Sequence, residues 1–394
     1  MRDRPASHRV LWGDNADVLA DLHARREQFD CVYLDPPYSA AGALRAGGAA
    51  VDDWPSFMEP RLATVRRLLA PTGIVVASID DQHVHHLRLL LDAFLGATNY
   101  LGTVVWQCSS PNSGQLLSVS HEYLIIYCAD RRQLLRAGAR WTEPRPDAEA
   151  LLDAATQAWR HAMGDRAVAQ TTFLACRSKS HREISAGLRE YRRFDQDGRL
   201  YRVGDAGARP GQAGRCTTPL RHPETGEPCP VPRHGWRFDA RRLEQLAEEG
   251  RFEFGPDATT LPKLRIYLDE HAERRPSSVF TQMSRGRRHL EEILGRPALG
   301  SHPKDVDVLT RWLGIVTEER ARILDPFLGT GATLEAVMRL NRDVGSRRSV
   351  TGIAWDSEGA DSLLLRGRLD ACAQDFDDVV EDAGREKVET RASQ

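Results

Sequence analysis

The sequence predicts an α/β protein built around a mainly parallel β-sheet. Through the first 130 residues, short apolar segments typical of strands alternate with segments of helical periodicity. A similar unit recurs near the other end of the chain, where the apolar segment 321–324 leads through a glycine-containing turn into the helical segment 334–338. Both observations indicate strand–helix units whose turns meet at one edge of the sheet, which is where ligands bind in open α/β sheets.

The individual strands and helices are predicted from the spacing of hydrophobic residues, from helix-capping residues, and from Pro and Gly residues that interrupt regular structure. The first helix, for example, has Val18, Leu19 and Leu22 on one face, and Pro71-Thr72-Gly73 is predicted to end the second helix. Strands are predicted at 9–12, 31–34, 74–79, 104–106, 123–127, 321–324 and 350–355, and helices at 16–25, 54–69, 80–95, 239–249, 306–313 and 334–338.

The stretch Asp35-Pro36-Pro37-Tyr38 carries the most chemical information in the chain. It follows the strand at 31–34, and because two prolines cannot continue a strand, the backbone must leave the sheet there. Asp35 and the Pro36 carbonyl can each accept one N–H group, and the Tyr38 ring can stack on a planar base. We therefore predict that this turn binds a planar substrate that bears an amino group.

A second informative turn lies between the strand at 321–324 and the helix at 334–338. Its sequence is Asp325-Pro326-Phe327-Leu328-Gly329-Thr330-Gly331. The two glycines permit a tight turn and allow a ligand to approach the backbone closely. Strand, glycine turn and helix start together form half of a nucleotide-binding unit.

Taken together, the two turns resemble the DNA amino-methyltransferases, in which D-P-P-Y and F-x-G-x-G occur as a pair. The catalytic motif comes first here, which is the order of the β class of adenine methyltransferases. Further segments resemble the modification subunits of type III restriction systems, namely 78–81, 99–102, 121–124, 198–201, 222–226, 235–237 and 250–255. The resemblance implies a Rossmann-like, S-adenosylmethionine-dependent methyltransferase fold of the seven-stranded type, circularly permuted, with an inserted target-recognition domain.

The resemblance also implies roles for individual residues. The catalytic residues are expected to be Asp35, Pro36, Pro37 and Tyr38. Residues expected to bind S-adenosylmethionine are Asp14, Lys304, Asp325, Phe327, Gly329, Thr330, Gly331 and Asp356. Asp14 is expected to contact the cofactor's adenine, although as a plain helix cap it would need no ligand. Many methyltransferases have an acidic ribose-binding residue where this chain has Ala354, which leaves Asp356 as the candidate for that contact.

The implied reaction is methyl transfer to the N6 amine of an adenine that is flipped out of duplex DNA. Two alternatives stay open. The N4 amine of cytosine presents the same geometry, although relatives with Ser in place of Asp35 favour cytosine, so Asp35 favours adenine. The chain could instead be a recognition subunit of a defence complex in which methylation is secondary. Candidate partners are duplex DNA, a restriction helicase–nuclease subunit and a second copy of this chain.

The distribution of charge supports a DNA-contacting insertion. Residues 131–300 contain 31 Lys and Arg residues against 23 Asp and Glu, a net charge of +8, whereas the whole chain carries −2. A basic middle in an acidic chain is expected of a part that contacts phosphate. Among its arginines lie four aromatic residues that either stack on bases or pack in a core, Trp141, Tyr191, Tyr201 and Trp236.

We therefore predict four parts of the chain in order. Residues 1–130 form the catalytic half of the methyltransferase domain, and 131–290 form the target-recognition domain. Residues 291–375 form the half that binds S-adenosylmethionine, and 376–394 form a polar tail.

Composition argues against several other classes of protein. Seven scattered cysteines do not form a disulfide framework. No metal site is expected, because Cys216, His222, Cys229 and His234 lack the usual knuckle spacing. No apolar run approaches the ~20 residues of a membrane span, and the N-terminus lacks the apolar core of a signal peptide. We expect a cytoplasmic bacterial protein that associates with the nucleoid through DNA.

Overall fold

A computed structural model gives the fold of the chain. It describes residues 6–37, 44–46, 49–51, 53–110, 116–179, 184–211, 216–298, 301–355 and 360–382. The chain divides into a first unit, Met1–Trp141 with Ser277–Gln394, and a second unit, Thr142–Pro276.

The bounds of the elements are as follows. The strands are β1 Ser7–Trp12, β2 Phe29–Leu34, β3 Leu44–Ala46, β4 Ala49–Val51, β5 Leu69–Ile79, β6 Tyr100–Gln107, β7 His121–Cys128, β8 Glu143–Pro144, β9 Arg193–Phe194, β10 Leu200–Gly204, β11 Phe252–Glu253, β12 Lys263–Tyr267, β13 Glu273–Arg274, β14 Val279–Thr281, β15 Arg322–Asp325, β16 Ser349–Ala354 and β17 Val379–Asp382. The α-helices are α1 Asn15–Ala24, α2 Trp54–Leu68, α3 Val84–Leu95, α4 Arg131–Arg136, α5 Pro146–His161, α6 Arg166–Lys179, α7 Ala240–Glu248, α8 Gly286–Leu294, α9 Val306–Val316, α10 Ala332–Val344 and α11 Ala360–Asp375.

The described residues of the first unit form a nine-stranded sheet with the order β14-β6-β7-β5-β2-β15-β16-β1-β17. β7 pairs antiparallel with β5 and β6, and the other neighbouring strands pair in parallel. This is the mainly parallel α/β sheet that the sequence predicted. β2 and β15 are distant in the chain but are neighbours in the sheet, so the turns that follow them meet at the same edge.

Alternation along the strands separates the two faces of the sheet. On β2, Cys31 and Tyr33 belong to the core that includes residues of α9 and α10, whereas Val32 and Leu34 belong to the core with α1, α2 and α3. Strands buried on both faces read as continuous apolar runs, which is why 31–34 is apolar throughout. If the alternation continues past the end of β2, Asp35 is the next residue on the same side as Cys31 and Tyr33.

The sheet is wider than the sequence predicted, because a strand is added at each edge. β14 falls within the range 131–290 and pairs in parallel with β6. β17 falls within the range 376–394, which was expected to be a polar tail, and pairs in parallel with β1. The Trp12 indole donates a 2.6 Å hydrogen bond to Asp382, and His8 lies 3.0 Å from Asp378, so polar contacts fix this edge strand. Residues 383–394 lie outside the described residues.

Pro71-Thr72-Gly73, which was predicted to end the second helix, follows the end of α2 at Leu68 and is part of β5. The strand begins at Leu69, which pairs with Phe29, and the register shifts between Phe29 and Cys31. A Cβ at Gly73 would lie only 3.0 Å from the Phe29 carbonyl oxygen, so a glycine permits this close approach. A proline–glycine signal here marks an irregularity within a strand and not its beginning.

The second unit contains a four-stranded antiparallel sheet with the order β11-β12-β10-β9. Tyr191, Tyr201 and Trp236 are at most 3% exposed and pack in its cores, so they do not offer an open stacking surface. Several arginines are paired within the unit, namely Arg193 with Glu253, Arg199 with Asp269, and Arg251 with Glu270. The unit begins at Thr142 and ends at Pro276, inside the predicted range 131–290, because α4, β14 and α8 belong to the first unit.

The described residues contain no group of three or more His, Cys, Asp or Glu side chains placed to hold a metal ion. None of the helices they form is long and apolar enough to span a membrane.

Candidate active site

Asp35 lies directly after the carboxyl end of β2, at the start of the proline turn. The turn is fixed from one side by α2, since the Trp54 indole nitrogen donates a 2.8 Å hydrogen bond to the Pro37 carbonyl oxygen. Trp54 is itself buried in the core beneath the turn. Tyr38, the expected stacking residue, lies outside the described residues.

Asp325 ends β15, the neighbouring strand, and brings the second turn beside the first. Its Oδ1 accepts a 2.9 Å hydrogen bond from the Phe327 amide, which tightens the turn. Burial raises the pKa of Asp325 to about 7, and the charge of Asp35 adds to this effect, although hydrogen bonds from Thr333 and Phe327 oppose it. A cationic group of a ligand beside this buried carboxyl group would favour its ionised form.

Lys304 lies beside Asp35. The Lys304 Nζ atom is 2.7 Å from Glu122 Oε2 and 3.5 Å from Asp35 Oδ1. Burial raises the pKa of Asp35 to about 6, with the Lys304 charge lowering it and the Glu122 charge raising it. Lys304 was expected to bind S-adenosylmethionine, with the cofactor's carboxylate as the candidate contact, and this stays a prediction. In the structure its amine lies next to the Glu122 and Asp35 carboxylates.

Asp14 caps α1 and belongs to a polar group that joins three elements. Its Oδ1 accepts hydrogen bonds from the Ala16 amide at 2.7 Å and from Arg61 Nη2 at 3.1 Å. Arg61 also donates to Asn15 Oδ1 at 2.5 Å, and the Asn15 amide donates to the Pro326 carbonyl at 2.9 Å. The Asn15 amide thus links the Asp14 turn to the Asp325 turn, and Arg61 of α2 holds Asp14 and Asn15 in place.

The two glycines of the second turn have different surroundings. Gly329 and Gly331 both have positive φ, at 52° and 81°. A Cβ at Gly329 would have no neighbour nearer than the Phe327 carbonyl oxygen at 3.8 Å, so that side of the turn is open to a ligand. A Cβ at Gly331 would lie 2.6 Å from Leu365 of α11, so Gly331 serves the packing of α10 against α11. Thr330, between them, is buried.

The residues present fit S-adenosylmethionine. The open backbone at Gly329, the buried carboxyl of Asp325 and the exposed face of the Asp14 carboxylate, which is 36% exposed, lie on connected turns at one edge of the sheet. Asp356, the candidate ribose contact, lies outside the described residues. These turns would hold the cofactor.

Sequence reasoning missed the roles of Trp54, Arg61 and Glu122. Arg61 occupies a position on the apolar face of α2 with Met58, Leu62 and Val65, and a charged residue at such a position was the available signal. Glu122 lay within the segment 121–124 that resembled the type III subunits, but no local pattern tied it to Asp35.

The chain is similar to known DNA methyltransferases. The family model for DNA methylases matches residues 29–358. The Mod subunit of the type III restriction-modification enzyme EcoP15I from Escherichia coli is 24% identical over 379 residues, covering 86% of this chain and 57% of that protein. The type II methyltransferase M.KpnI from Klebsiella pneumoniae is 24% identical over 375 residues, covering 87% of this chain and 80% of that protein.

A crystal structure of the M1.HpyAVI–SAM complex has a TM-score of 0.43 and 11% identity, and the match covers 92% of this chain and 98% of that one. Of the EcoP15I Mod subunit, the match to this chain spans just over half the length. The predicted fold class, the resemblance to amino-methyltransferases and the S-adenosylmethionine cofactor are confirmed at the level of the family. Because the family model matches most of its length, the chain belongs to the DNA methylase family.

Proposed function

We propose that this chain transfers a methyl group from S-adenosylmethionine to the N6 amine of an adenine in duplex DNA. The observation that carries the proposal is the position of Asp35, before two prolines at the end of β2 and beside the glycine turn at the end of β15. A carboxylate and a backbone carbonyl at this edge suit an exocyclic amine, which has two N–H groups to donate.

The protein's own groups orient the amine. When bound, S-adenosylmethionine supplies a methyl group on a positively charged sulfur. Asp35 and the Pro36 carbonyl each accept one N–H of the amine, so that its lone pair points toward the methyl group. Most of the rate acceleration is expected to come from positioning the amine against the methyl group. The amine loses its proton readily only as the new C–N bond forms. The Trp54 hydrogen bond to Pro37 keeps the turn in this geometry.

The target base must leave the duplex to reach this turn, because an amine within the base stack cannot be approached. Tyr38 is expected to stack on the flipped base. The second unit is expected to provide DNA contacts through individual arginines, because phosphate contacts are made by basic side chains. Its net charge does not carry this expectation, since residues 142–276 contain 23 Lys and Arg residues against 21 Asp and Glu. The identity of the base rests on Asp35, and the N4 amine of cytosine is the alternative outcome.

The test compares wild type with Asp35→Ala, Asp35→Asn and a control, Glu59→Gln, whose side chain is exposed on α2. Unmethylated genomic DNA is incubated with S-adenosylmethionine, and the nucleosides are quantified by mass spectrometry. We expect N6-methyladenine from wild type and control, and none from the Asp35 variants, while calorimetric affinity for S-adenosylmethionine changes by less than a few-fold. Near-normal transfer by Asp35→Ala would contradict the catalytic role, and N4-methylcytosine would contradict the choice of base.

We also propose that the chain works within a restriction-modification system. The support is its similarity to proteins named as Mod subunits of such enzymes. A tagged copy expressed in its native host should co-purify with a helicase–nuclease chain. Purification of an active methyltransferase with no such chain would favour a solitary modification enzyme.

A further inference from the structure

Lys304, Glu122 and Asp35 meet at the sheet edge although they come from three distant segments. Asp35 follows β2 and Glu122 lies on β7, and β5 runs between these two strands. The backbones of strands two places apart are separated by about 10 Å. The Lys304 amine bridges that gap, at 2.7 Å from Glu122 and 3.5 Å from Asp35.

All three side chains point to the same face of the sheet. Side chains two residues apart along a strand face the same side of the sheet. Asp35 therefore faces the same side as Tyr33, and Glu122 faces the same side as Leu124 and Ile126. These three apolar residues lie in the core on the side of α9 and α10. Lys304 reaches them from the segment that precedes α9. Its side chain is 12% exposed, so its charge is little screened by water.

The backbone that carries Lys304 is held closely. Gly286 begins α8 against it, and a Cβ at Gly286 would lie 2.1 Å from the Pro303 carbonyl oxygen and 2.8 Å from that of Lys304. The next residue, Asp305, caps α9 through Val308 and also accepts a 2.7 Å hydrogen bond from the Arg285 amide. Lys304 is thus presented from a rigid support and not from a loose loop.

We propose that Lys304, anchored by Glu122, is a positioning residue that keeps Asp35 ionised and in place to accept a hydrogen bond from the target amine. This inference rests on the proposed function. A protonated Asp35 would carry a donor where an acceptor is needed, and the negative charge of its neighbour Glu122 favours protonation. Burial raises the pKa of Tyr33, which lies on β2, and the charge of Asp35 raises it further. The positive charge of Lys304 offsets the effect of Glu122 on Asp35.

The signs of the expected effects follow from these charges. Methyl transfer by wild type should rise with pH through about 6, as Asp35 ionises. Lys304→Met removes the cation and should move this rise upward by about one to three pH units. Glu122→Gln removes a neighbouring negative charge but keeps an oxygen that accepts from Lys304, so the rise should move downward. Lys304→Arg should restore a position near that of wild type.

The experiment measures single-turnover methyl transfer between pH 5 and 9 (a range chosen to bracket the pKa of about 6) on unmethylated genomic DNA, with saturating S-adenosylmethionine. A purely structural role for Lys304 or Glu122 would lower the rate equally at every pH and leave the profile in place, which would overturn the proposal. Movement of both variants in the same direction would overturn it too.

Calorimetric titration with S-adenosylmethionine separates this role from cofactor binding. Lys304→Met should change the affinity by less than a few-fold. A loss of tenfold or more, with an unmoved pH profile, would return Lys304 to the cofactor's carboxylate and overturn the proposal. Failure of the proposed function is distinguishable, because in that case wild type itself would form no N6-methyladenine, or Asp35→Asn would retain transfer.

Discussion

The indole of Trp54 donates a hydrogen bond of 2.8 Å to the carbonyl oxygen of Pro37, and it thereby joins α2 to the catalytic turn. Neither proline of this turn has a backbone N–H, so the turn cannot be fixed by its own amides. The side-chain donor from α2 supplies the missing constraint. Trp54 also contacts the His83 ring at the start of α3, with ring centroids 5.2 Å apart.

Trp54→Phe should therefore affect catalysis more than stability. The ring is retained and one hydrogen bond is lost, which should lower the free energy of unfolding by about 1 kcal/mol. A small displacement of the turn should lower methyl transfer by tenfold or more, because transfer depends on positioning. Denaturant unfolding and single-turnover rates measure the two effects.

The matched control is Trp236→Phe, which loses an indole hydrogen bond of 2.9 Å to the Thr218 carbonyl in the second unit. It should cost a similar free energy and leave the rate at saturating DNA unchanged. Equal loss of rate in both variants would mean that the Trp54 contact has no special effect on the turn.

The two glycines of the cofactor turn should respond differently to substitution. Both have positive φ, so alanine should cost about 1–2 kcal/mol of backbone strain at either position. At Gly331 the new Cβ would also meet Leu365 at 2.6 Å, so Gly331→Ala should lower the melting temperature further. Gly329→Ala should instead weaken S-adenosylmethionine binding with the smaller loss of stability. Calorimetric titration beside thermal unfolding would refute this division if Gly331→Ala were the milder change in both.

The sequence identified the two turns because their signals are local. A proline pair after an apolar strand, or glycines between a strand and a helix, indicate a turn whatever surrounds them. The bridge from Lys304 to Glu122 could not be predicted in this way. It depends on β7 lying antiparallel between β5 and β6, and strand order is set by packing across the whole sheet. For the same reason β17 was missed, since an exposed edge strand of four residues has little periodicity of its own.

A buried ion pair behind the cofactor turn gives a prediction about stability. Arg368 of α11 is fully buried and pairs with Glu335 in the first turn of α10. Glu335 also contacts His289 and Arg339, both at 2.6 Å. Glu335→Gln should therefore cost about 3–5 kcal/mol, because it leaves Arg368 buried without a carboxylate. Arg368→Met should cost less, since Glu335 keeps its other two partners. Denaturant unfolding that gave the reverse order would contradict this account.

The same pair predicts an acid dependence of stability. Burial opposes ionisation of Glu335, but the His289 hydrogen bond and the Arg368 and Arg339 charges outweigh it and lower the pKa of Glu335 to about 2, from 4.5. A carboxyl group whose pKa is lower in the folded state stabilises the fold above its unfolded pKa, and this contribution is lost as pH falls. Wild type should therefore lose free energy of unfolding between pH 4.5 and 2, and Glu335→Gln should lose less over that range. Parallel curves for the two proteins, measured by denaturant unfolding, would exclude Glu335 as a contributor.

The last prediction concerns DNA contact by the second unit. Within this unit, Arg189 and Arg192 lie close enough to Arg177 for their charges to affect it. Burial lowers the pKa of Arg177, and the charges of Arg192 and Arg189 lower it further. In this arginine cluster, Arg177 donates to the Tyr191 carbonyl and Arg192 donates to the Arg189 carbonyl, both at 2.9 Å. Adjacent guanidinium groups that repel one another would be stabilised by a DNA phosphate.

Arg192→Ala should weaken binding to all DNA sequences alike, because a phosphate contact carries no base information. Arg192 is exposed, so the fold should be little affected. The slope of the logarithm of affinity against the logarithm of salt concentration should become shallower by about one, as one fewer counterion is released. The control is Arg242→Ala, an exposed arginine of α7 already paired with Glu249 at 3.1 Å, whose removal should leave the slope unchanged. Fluorescence anisotropy with a labelled duplex at several salt concentrations measures both variants. An unchanged slope for Arg192→Ala, or an equal change for Arg242→Ala, would exclude the arginine cluster as a phosphate site.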